Sequence, residues 1–341
     1  MKKENTEQIR QYILKQIDTR EKDYARKTVE NFQISKSSVY SYTKKMCDEH
    51  ILQRAEGKMP PYRLETQEHT FHYENNGTLG EDRIFSKDIE PLLHDCPKNV
   101  LSAWRYAFTE MMNNAIEHSH ASKILVIVQI NVLKTTIIIA DNGIGIFKNI
   151  QNFIRQEKGE ELALEDCVSL LFTGKFTTAK NLHSGEGIFF TSHLMDSFYI
   201  LSDHIFFSRS SFSDAITDTL NVQNGTAVLM TLSNQSKKNV RKVFDRFSDV
   251  EEGFIRTHIP IAHMFPSGSP VSRSEARRLG ELISGFKEID LDFSDVEEVG
   301  QAFSHELFIV WQSRNPDVVL NVTNASEAVD HMIRRVKNTQ A

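Results

Sequence analysis

A carboxylate, an amide and an imidazole recur at one-turn intervals along a stretch that predicts a helix. Residues 104–119 have helical periodicity, and Glu110, Asn114 and His118 fall at positions i, i+4 and i+8, so they share one helix face. An amide oxygen can ligate a hard cation such as Mg²⁺. A carboxylate can accept a proton from an attacking water or hydroxyl, and an imidazole can contact a phosphate oxygen. The spacing therefore fits a magnesium–nucleotide site, although an exposed polar helix face gives the same pattern.

Two glycine turns further along the chain add the other parts of a nucleotide site. A predicted strand over residues 135–140 leads into Asp141, whose carboxylate can accept a hydrogen bond from an adenine amino group. Gly143 and Gly145 let the backbone approach the base. The turn at residues 184–187 opens a predicted helix, where free N–H groups and the helix dipole favour a phosphate. The order of helix, strand-end carboxylate and glycine turn predicts a nucleotide site.

With these motifs, residues 67–234 resemble the GHKL ATPase superfamily, which groups gyrase, the heat-shock chaperone, histidine kinases and mismatch-repair ATPases. The resemblance implies ATP and Mg²⁺ as ligands, an α/β sandwich with a mixed sheet, and a mobile lid over residues 148–183. It also implies a role for each matching residue: general base (Glu110), magnesium ligand (Asn114), adenine-binding aspartate with its neighbours (Asp141, Gly143, Gly145), lid-end glycines (Gly185, Gly187) and a threonine that supports the adenine pocket (Thr226).

Within the superfamily, the chain looks most like the anti-sigma-factor serine kinases, through residues 171–175 and 184–188. Those kinases tend to have an arginine just before the second glycine turn, where this chain has His183. A neutral imidazole stabilises a γ-phosphate less than a fixed cation does. Lys175 is the candidate that could replace the arginine from the lid, although an exposed loop lysine is often only solvated.

Residues 1–66 are predicted to be a winged helix-turn-helix domain, because three helices are followed by a short hairpin. This segment carries 14 Lys+Arg and 10 Asp+Glu, a net charge of +4, against −6 for the whole chain. The third predicted helix, which Ser35 would cap, has no acidic residue up to Met46. We expect its hydroxyls and lysines to contact DNA phosphates and base edges, with a protein-docking surface as the alternative. The candidate DNA-contacting residues are Lys36, Ser37, Ser38, Tyr40, Lys44 and Lys45.

Residues 255–341 are predicted to form a small α/β domain behind a linker over residues 235–254. Residues 291–299 and the helix that follows resemble a STAS-type domain, the fold of anti-anti-sigma factors. Those proteins offer a phosphoacceptor serine at the start of this helix, but residues 299–302 contain no hydroxyl, and Ser304 one turn later is expected to be structural. The resemblance therefore implies a domain for docking a protein partner or for intramolecular regulation, without the serine switch.

The length and composition fit a cytoplasmic protein of two or three domains with an α/β (α+β) fold. The 341 residues begin with no secretory signature. The longest apolar stretches, residues 124–128 and 137–140, are too short to cross a bilayer, so we expect no membrane contact. The three cysteines lie far apart and lack metal-ligand spacing, which predicts neither a disulfide nor a zinc site.

Three functions share this site and differ in what accepts the γ-phosphoryl group. The chain could be an ATP-gated DNA-binding regulator with slow hydrolysis, an anti-sigma-type kinase that phosphorylates a partner serine, or an ATPase with a conformational cycle. A scaffold with an inactive pocket is the fourth possibility. Glu110 favours phosphoryl chemistry, since passive binding needs no base, and the predicted winged helix favours regulation. We therefore prefer the regulator, with a homodimer as a possible assembly, and we expect ATP hydrolysis or phosphoryl transfer.

Overall fold

The computed structural model describes residues 2–55, 61–174, 186–208, 224–249, 251–265 and 268–338. Helices and strands both contribute to it, which confirms the α+β fold class. Within these ranges, no helix combines the length and the apolar character needed to cross a membrane. The three cysteines all lie within these ranges, and no disulfide joins them.

The N-terminal part consists of three helices and a two-stranded antiparallel sheet around a hydrophobic core of its own. Ser35 caps the third helix, since its Oγ accepts a hydrogen bond from the Ser38 N–H at 3.1 Å. In the sheet, Leu52 pairs with Leu64, and both side chains are buried. The predicted order of elements is confirmed, while the winged-helix assignment stays a prediction. The elements are α1 (Lys2–Asp18), α2 (Tyr24–Phe32), α3 (Lys36–Asp48), β1 (Leu52–Arg54) and β2 (Tyr62–Leu64).

A six-stranded sheet forms the centre of the chain. Its strands, in chain order, are β3 (Gln67–Glu74), β4 (Lys123–Ile130), β5 (Lys134–Asp141), β6 (Ser197–Ser202), β7 (Ile205–Ser208) and β8 (Thr226–Ser233). They lie side by side in the order β3-β4-β5-β8-β6-β7, and each of these neighbouring pairs is antiparallel. The resemblance implies a mixed sheet at this position; the parallel pairs of the described chain lie in a separate C-terminal sheet.

The helices of the central part share one hydrophobic core with this sheet. They are α4 (Glu81–Ile84), a π turn (Phe85–Ile89), a 3₁₀ turn (Glu90–Leu93), α5 (Lys98–Asn113), a second π turn (Asn114–His118), α6 (Ile146–Lys158), α7 (Leu164–Thr173) and α8 (Gly187–Leu194). Alternate strand residues such as Val126 and Ile139 are fully buried, and so are Trp104 and Phe108 of α5. This packing holds α5, which carries the candidate base, against the sheet.

Much of the segment that the resemblance implies as a mobile lid is helical and packed. Residues 148–183 include most of α6 and all of α7, and the side chains of Ile150, Cys167 and Phe172 within them are buried. Buried apolar side chains recur at helical spacing within each helix, namely Phe147, Ile150 and Ile154 in α6 and Cys167 and Leu171 in α7. Residues 148–174 of the expected lid therefore consist mainly of two packed helices.

The segment predicted as a linker also contains regular structure, namely α9 (Val240–Phe247), β9 (Ser248–Asp249) and β10 (Gly253–Phe254). Asn239 caps α9, since its Oδ1 accepts a hydrogen bond from the Lys242 N–H at 3.2 Å. Phe244 of α9 stacks on Phe190 of α8 with 3.9 Å between ring centroids. The segment is thus packed against the central part, and the boundaries of the linker stay a sequence prediction.

A three-stranded parallel sheet organises the C-terminal part. Its strands are β11 (Arg256–Pro260), β12 (Glu288–Asp292) and β13 (Val319–Thr323), which lie in this order. Its helical segments are α10 (Ile261–Met264), α11 (Arg273–Leu282), α12 (Gln301–His305), a π turn (Glu306–Trp311), α13 (Gln312–Arg314) and α14 (Glu327–Asn338). Ile259, Ile289 and Leu291 are fully buried in a hydrophobic core that is continuous with that of the central part. The C-terminal part therefore packs directly on the central part.

The N-terminal part contacts the central sheet at the hairpin between β4 and β5. Leu133 packs against the hydrophobic core of the N-terminal part. The Lys134 ammonium pairs with the Asp18 carboxylate of α1 at 2.7 Å. Lys134 is the first residue of β5, and Asp141 is its last. One strand therefore runs from the N-terminal part to the strand-end carboxylate.

Candidate nucleotide-binding site

Asp141 lies at the end of β5, where a tight turn closes around its carboxylate. The Gly143 N–H donates a hydrogen bond to Asp141 Oδ1 at 2.8 Å. The Ile144 N–H donates to the Ser119 carbonyl at 2.9 Å, which joins the turn to the segment after α5. A Cβ on Gly143 would lie 2.0 Å from that carbonyl oxygen, so only glycine fits at this position.

The start of β8 contacts the same turn. Thr226 Oγ1 accepts a hydrogen bond from the N–H of Ile146, the first residue of α6, at 2.9 Å. A Cβ on Gly225 would lie 1.9 Å from the Asp141 carbonyl oxygen, and this glycine has a φ of +90°. The structure therefore brings Thr226 to the Asp141 turn, where it holds the start of α6.

The hairpin between β6 and β7 adds residues that sequence reasoning missed. Ser202 Oγ donates a hydrogen bond to the Gly225 carbonyl at 2.9 Å. A Cβ on Gly145 would lie 2.5 Å from Asp203 Oδ2, and the buried Asp203 carboxylate forms an ion pair with Lys148 of α6. The polar pair Asp203-His204 between two apolar runs is the sequence signal for this turn. This local signal does not indicate that the turn contacts Gly145.

Burial raises the pKa of the Asp141 carboxyl group to about 6, from an ordinary value of 3.8. Backbone hydrogen bonds from Gly143 and Thr226 act in the opposite direction, because they stabilise the carboxylate, but they offset only part of the effect of burial. The carboxylate still predominates at pH 7. In that form it can accept a hydrogen bond from a ligand.

Glu110 and Gly187 are in contact although they are distant in the sequence. Gly187 is the first residue of α8, and a Cβ on it would lie 2.1 Å from Glu110 Oε2. The Glu110 carboxylate therefore lies at the N-terminus of α8, where backbone N–H groups and the helix dipole favour a bound anion. Tyr106, one turn before Glu110, has a raised pKa because of burial and the nearby charges of Glu110 and Glu186. The Tyr106 phenol is thus within the influence of two negative charges at the start of α8.

Asn114 and His118 lie on the π turn that continues α5. A π turn bonds residue i to i+5, so it departs from the α-helical spacing on which the shared face of Glu110, Asn114 and His118 is predicted. The π turn changes the spacing after α5, and a face shared by Glu110, Asn114 and His118 stays a prediction. The His118 carbonyl accepts a hydrogen bond from the Asn149 side chain of α6 at 3.1 Å, which holds the turn beside the Asp141 motif. Single π turns inside α-helices are frequent at functional sites.

Three predicted site residues, Lys175, His183 and Gly185, lie outside the described residues. Asn114 and His118 lie on the π turn, and six further site residues fall into two groups. Glu110 and Gly187 meet at the start of α8, and a second group surrounds the end of β5 and contains Asp141, Gly143, Gly145 and Thr226.

No group of three or more His, Cys, Asp or Glu side chains within the described ranges is arranged to hold a metal ion. Magnesium differs from structural metals in this respect, because it usually keeps several waters and takes only one or two protein ligands besides substrate phosphates. Asn114 is half-buried as the first residue of the π turn, and its amide oxygen is a candidate for such a single protein ligand.

The residues predicted to contact DNA lie apart from this site, on α3. Val39 and Met46 of α3 are fully buried, so the helix is anchored in the N-terminal core and presents its basic face outward. On that face, Lys36, Ser37, Tyr40, Lys44 and Lys45 are exposed and Ser38 is half-buried.

Two protein-family models match parts of the chain. The first, described as a histidine kinase-like ATPase domain, matches residues 88–204, which include Glu110, Asn114, Asp141 and Gly187. The chain therefore contains an ATPase domain of this class, whose members bind ATP, usually with Mg²⁺.

The second model is described as a STAS-like domain of unknown function and matches residues 275–330, from α11 into α14. The resemblance of the C-terminal part to STAS-type domains is therefore confirmed. Neither of these two models extends into residues 1–66. No curated protein matches the chain.

We predict that Asp141→Asn raises the free energy of unfolding of the nucleotide-free protein at pH 7. The folded-state pKa of about 6 exceeds the ordinary 3.8, so folding stability is lost as the pH rises through this window, on the order of 2 kcal/mol. Asparagine carries no charge, and its Oδ1 can still accept the Gly143 hydrogen bond. Urea unfolding of both proteins measures the difference, which should shrink near pH 4.5. A difference of the same size at both pH values would contradict a raised pKa.

Proposed function

We propose that the chain is an ATP- and Mg²⁺-binding regulatory protein in which the nucleotide controls DNA binding and is slowly hydrolysed. The observation that carries this proposal is the contact between Glu110 and Gly187. It supports a site in which a carboxylate base faces the phosphate end of a bound nucleotide, since the N-terminus of α8 favours an anion. A pocket for passive binding has no need of a base at that end.

The position of Asp141 supports adenine as the nucleobase of the bound nucleotide. Its carboxylate can accept a hydrogen bond from the adenine amino group, and glycines at positions 143 and 225 keep side chains out of the turn. Guanine carries a carbonyl oxygen where adenine carries the amino group, and two acceptors form no hydrogen bond. The site therefore favours ATP over GTP as long as Asp141 is ionised.

The residues near α8 support hydrolysis. Glu110 would accept the proton of an attacking water, and the Asn114 amide oxygen would supply one magnesium ligand. His118, Gly185 and Gly187 are candidates for phosphate contacts, and Lys175 or His183 would supply the cation at the γ-phosphate. Because no fixed arginine precedes the second glycine turn, we expect turnover to be slow.

The basic face of α3 supports DNA as the macromolecular ligand. Its lysines and hydroxyls point outward from a helix that is anchored by buried apolar residues, and this helix carries no acidic residue before Asp48. Lys44 and Lys45 would contact phosphates, while Ser37, Ser38 and Tyr40 would lie closer to base edges.

Strand β5 supports a link between the two sites. Its first residue, Lys134, pairs with Asp18 of the N-terminal part, and its last residue, Asp141, belongs to the adenine end. A movement of the hairpin before Lys134 and a movement at Asp141 would thus both displace the same hydrogen-bonded strand. Nucleotide binding would control DNA binding by favouring one arrangement of this strand and the N-terminal part.

The remaining parts of the proposal rest on the sequence. They are a cytoplasmic location, a protein partner or an intramolecular contact for the STAS-like domain, and a homodimer as a possible assembly. An anti-sigma-type kinase and an ATPase with a conformational cycle are the alternatives. Incubation with γ-labelled ATP, with and without DNA, separates labelled protein, free phosphate and DNA-stimulated turnover.

We predict that Asp141→Asn weakens ATP binding by at least about 10-fold, because it replaces a charge-assisted hydrogen bond to the adenine amino group. Isothermal titration calorimetry at pH 7 measures the affinity. Asp95→Asn, at an aspartate whose side chain is 93% exposed, serves as the matched control and should bind ATP like wild type. Unchanged affinity in Asp141→Asn would show that the adenine end is assigned to the wrong residue.

We predict that Glu110→Gln lowers phosphate release by about 10²–10⁴-fold and changes ATP affinity little, because the amide cannot accept a proton. Steady-state release of labelled phosphate measures turnover. Glu117→Gln, at an exposed position on the adjoining π turn, is the control and should keep wild-type turnover. Wild-type release by Glu110→Gln would remove Glu110 as the base.

We predict that Lys44→Ala with Lys45→Ala weakens DNA binding and flattens its salt dependence by about two units of slope, because two phosphate contacts are lost. The control variant, Lys15→Ala with Lys22→Ala, removes two exposed lysines outside α3. Fluorescence anisotropy over a range of salt concentrations, with and without ATP, measures both effects. If wild type binds no DNA at low salt, the DNA-binding part of the proposal fails.

A further inference from the structure

Helix α8 packs against an aromatic helix that follows the ATPase match in the sequence. Phe190 of α8 stacks on Phe244 of α9, with 3.9 Å between ring centroids and 4° between ring planes. Phe189 of α8 meets Phe247 of α9 edge to face at 4.9 Å. The helix that begins at Gly187 therefore depends for its position on α9, which lies outside residues 88–204.

The C-terminal part holds α7, the helix that comes before α8, through polar contacts. Thr257 Oγ1 of β11 donates a hydrogen bond to the Thr173 carbonyl at 3.0 Å, and both residues are buried. Two further contacts join the same parts of the chain, namely Ser169 Oγ to the Met264 carbonyl at 3.2 Å and Arg278 to the Asp166 carboxylate at 2.8 Å. The last turn of α7 is thus fixed to the first strand of the C-terminal sheet.

These two sets of contacts meet at Phe189, in the first turn of α8. Helix α7 ends at Gly174, which has a φ of +82°, and a Cβ there would lie 2.6 Å from the Phe189 ring. Through Phe189, the end of α7 contacts the first turn of α8. The first residue of α8, Gly187, lies against the Glu110 carboxylate. A short series of contacts therefore leads from Thr257 to the candidate base.

A second series of contacts reaches the same place through α5. Tyr106 lies one turn before Glu110 and meets the Phe244 ring edge to face at 5.3 Å. Tyr106 and Glu110 are four residues apart on α5, so their side chains are neighbours on one helix face. Helix α9 therefore contacts both helices, α5 and α8, that form the phosphate end.

We propose that α9 and the C-terminal part position the phosphate end of the ATP site, with Thr257 and Phe244 as positioning residues for Gly187 and Glu110. This inference rests on the proposed function, since it concerns the same site. A partner that moves the C-terminal part changes ATP affinity and turnover, and ATP changes the affinity for that partner by the same factor. The adenine end at Asp141 is held instead by β8 and by the hairpin between β6 and β7.

We predict that Thr257→Val lowers kcat for phosphate release and the affinity for a non-hydrolysable ATP analogue by about 2- to 10-fold each, the range for one net hydrogen bond. ADP affinity should stay within about 2-fold of wild type, because ADP lacks the phosphate nearest Glu110. Valine matches threonine in shape and favours a strand, so the substitution removes the hydrogen bond to Thr173 and little else. Calorimetry on the full-length chain and steady-state phosphate release measure these quantities.

The matched control is Thr323→Val, in the same sheet. Thr323 Oγ1 donates to the Leu291 carbonyl at 3.4 Å, within the C-terminal part, so its loss should change neither kcat nor the affinity for the ATP analogue. A second variant, Arg278→Glu, breaks the surface ion pair with Asp166 and should lower kcat in the same way. Adding Asp166→Arg to it restores opposite charges and should recover kcat.

Wild-type values for kcat and for the ATP analogue in both Thr257→Val and Arg278→Glu would overturn the inference. An equal loss of ATP-analogue and ADP affinity would also overturn it, since that result indicates general destabilisation. Neither outcome touches the proposed function, which Asp141→Asn and Glu110→Gln test directly. If wild type binds no ATP, the proposed function and this inference fail together.

Discussion

The partial burial of the Asp141 carboxylate at the end of β5 is the constraint on which the neighbouring turns depend. A carboxylate that loses water must gain donors, and the Gly143 N–H supplies one at 2.8 Å. The backbone can approach so closely only because positions 143 and 225 carry no side chain. Thr226 then fixes the start of α6, and Ser202 fixes the Gly225 carbonyl. Packing around one polar group thus determines the conformation of three separate connections.

The phosphate end depends on a different kind of contact, between helices. Glu110 and Gly187 approach because α5 and α8 pack side by side, and the space that a Cβ would need is occupied by the Glu110 carboxylate. The π turn at Asn114–His118 begins one turn after Glu110, and a hydrogen bond joins it to α6. The two ends of the site therefore meet through α6, whose start is bonded to Thr226 and whose Asn149 side chain is bonded to the π turn.

Short periodic elements could be predicted from the sequence, and polar or irregular ones could not. The Ser35 cap agrees with its prediction, because a hydroxyl before a run of periodic apolar residues determines it locally. Strand β3 lies at the edge of its sheet, where polar side chains are tolerated, so its sequence lacks the apolar alternation that predicts a strand. Strand β11 was also not predicted, because only its last residues are apolar. Helix α9 was not predicted either. Its apolar residues do recur at i, i+3, i+4 and i+7, but the charged residues between them gave the segment the composition of a linker. The meeting of Glu110 with Gly187 is a tertiary contact that no local pattern encodes.

Strand β5 also sets a fixed length between two parts of the molecule. Its eight residues span about 25 Å in an extended conformation. Hydrogen bonds to β4 on one side and to β8 on the other prevent it from slipping. Inserting or deleting one residue would turn every following side chain to the opposite face of the sheet, so Lys134 and Asp141 could not both keep their partners. Changes in length during divergence should therefore accumulate in the surrounding loops and spare this strand.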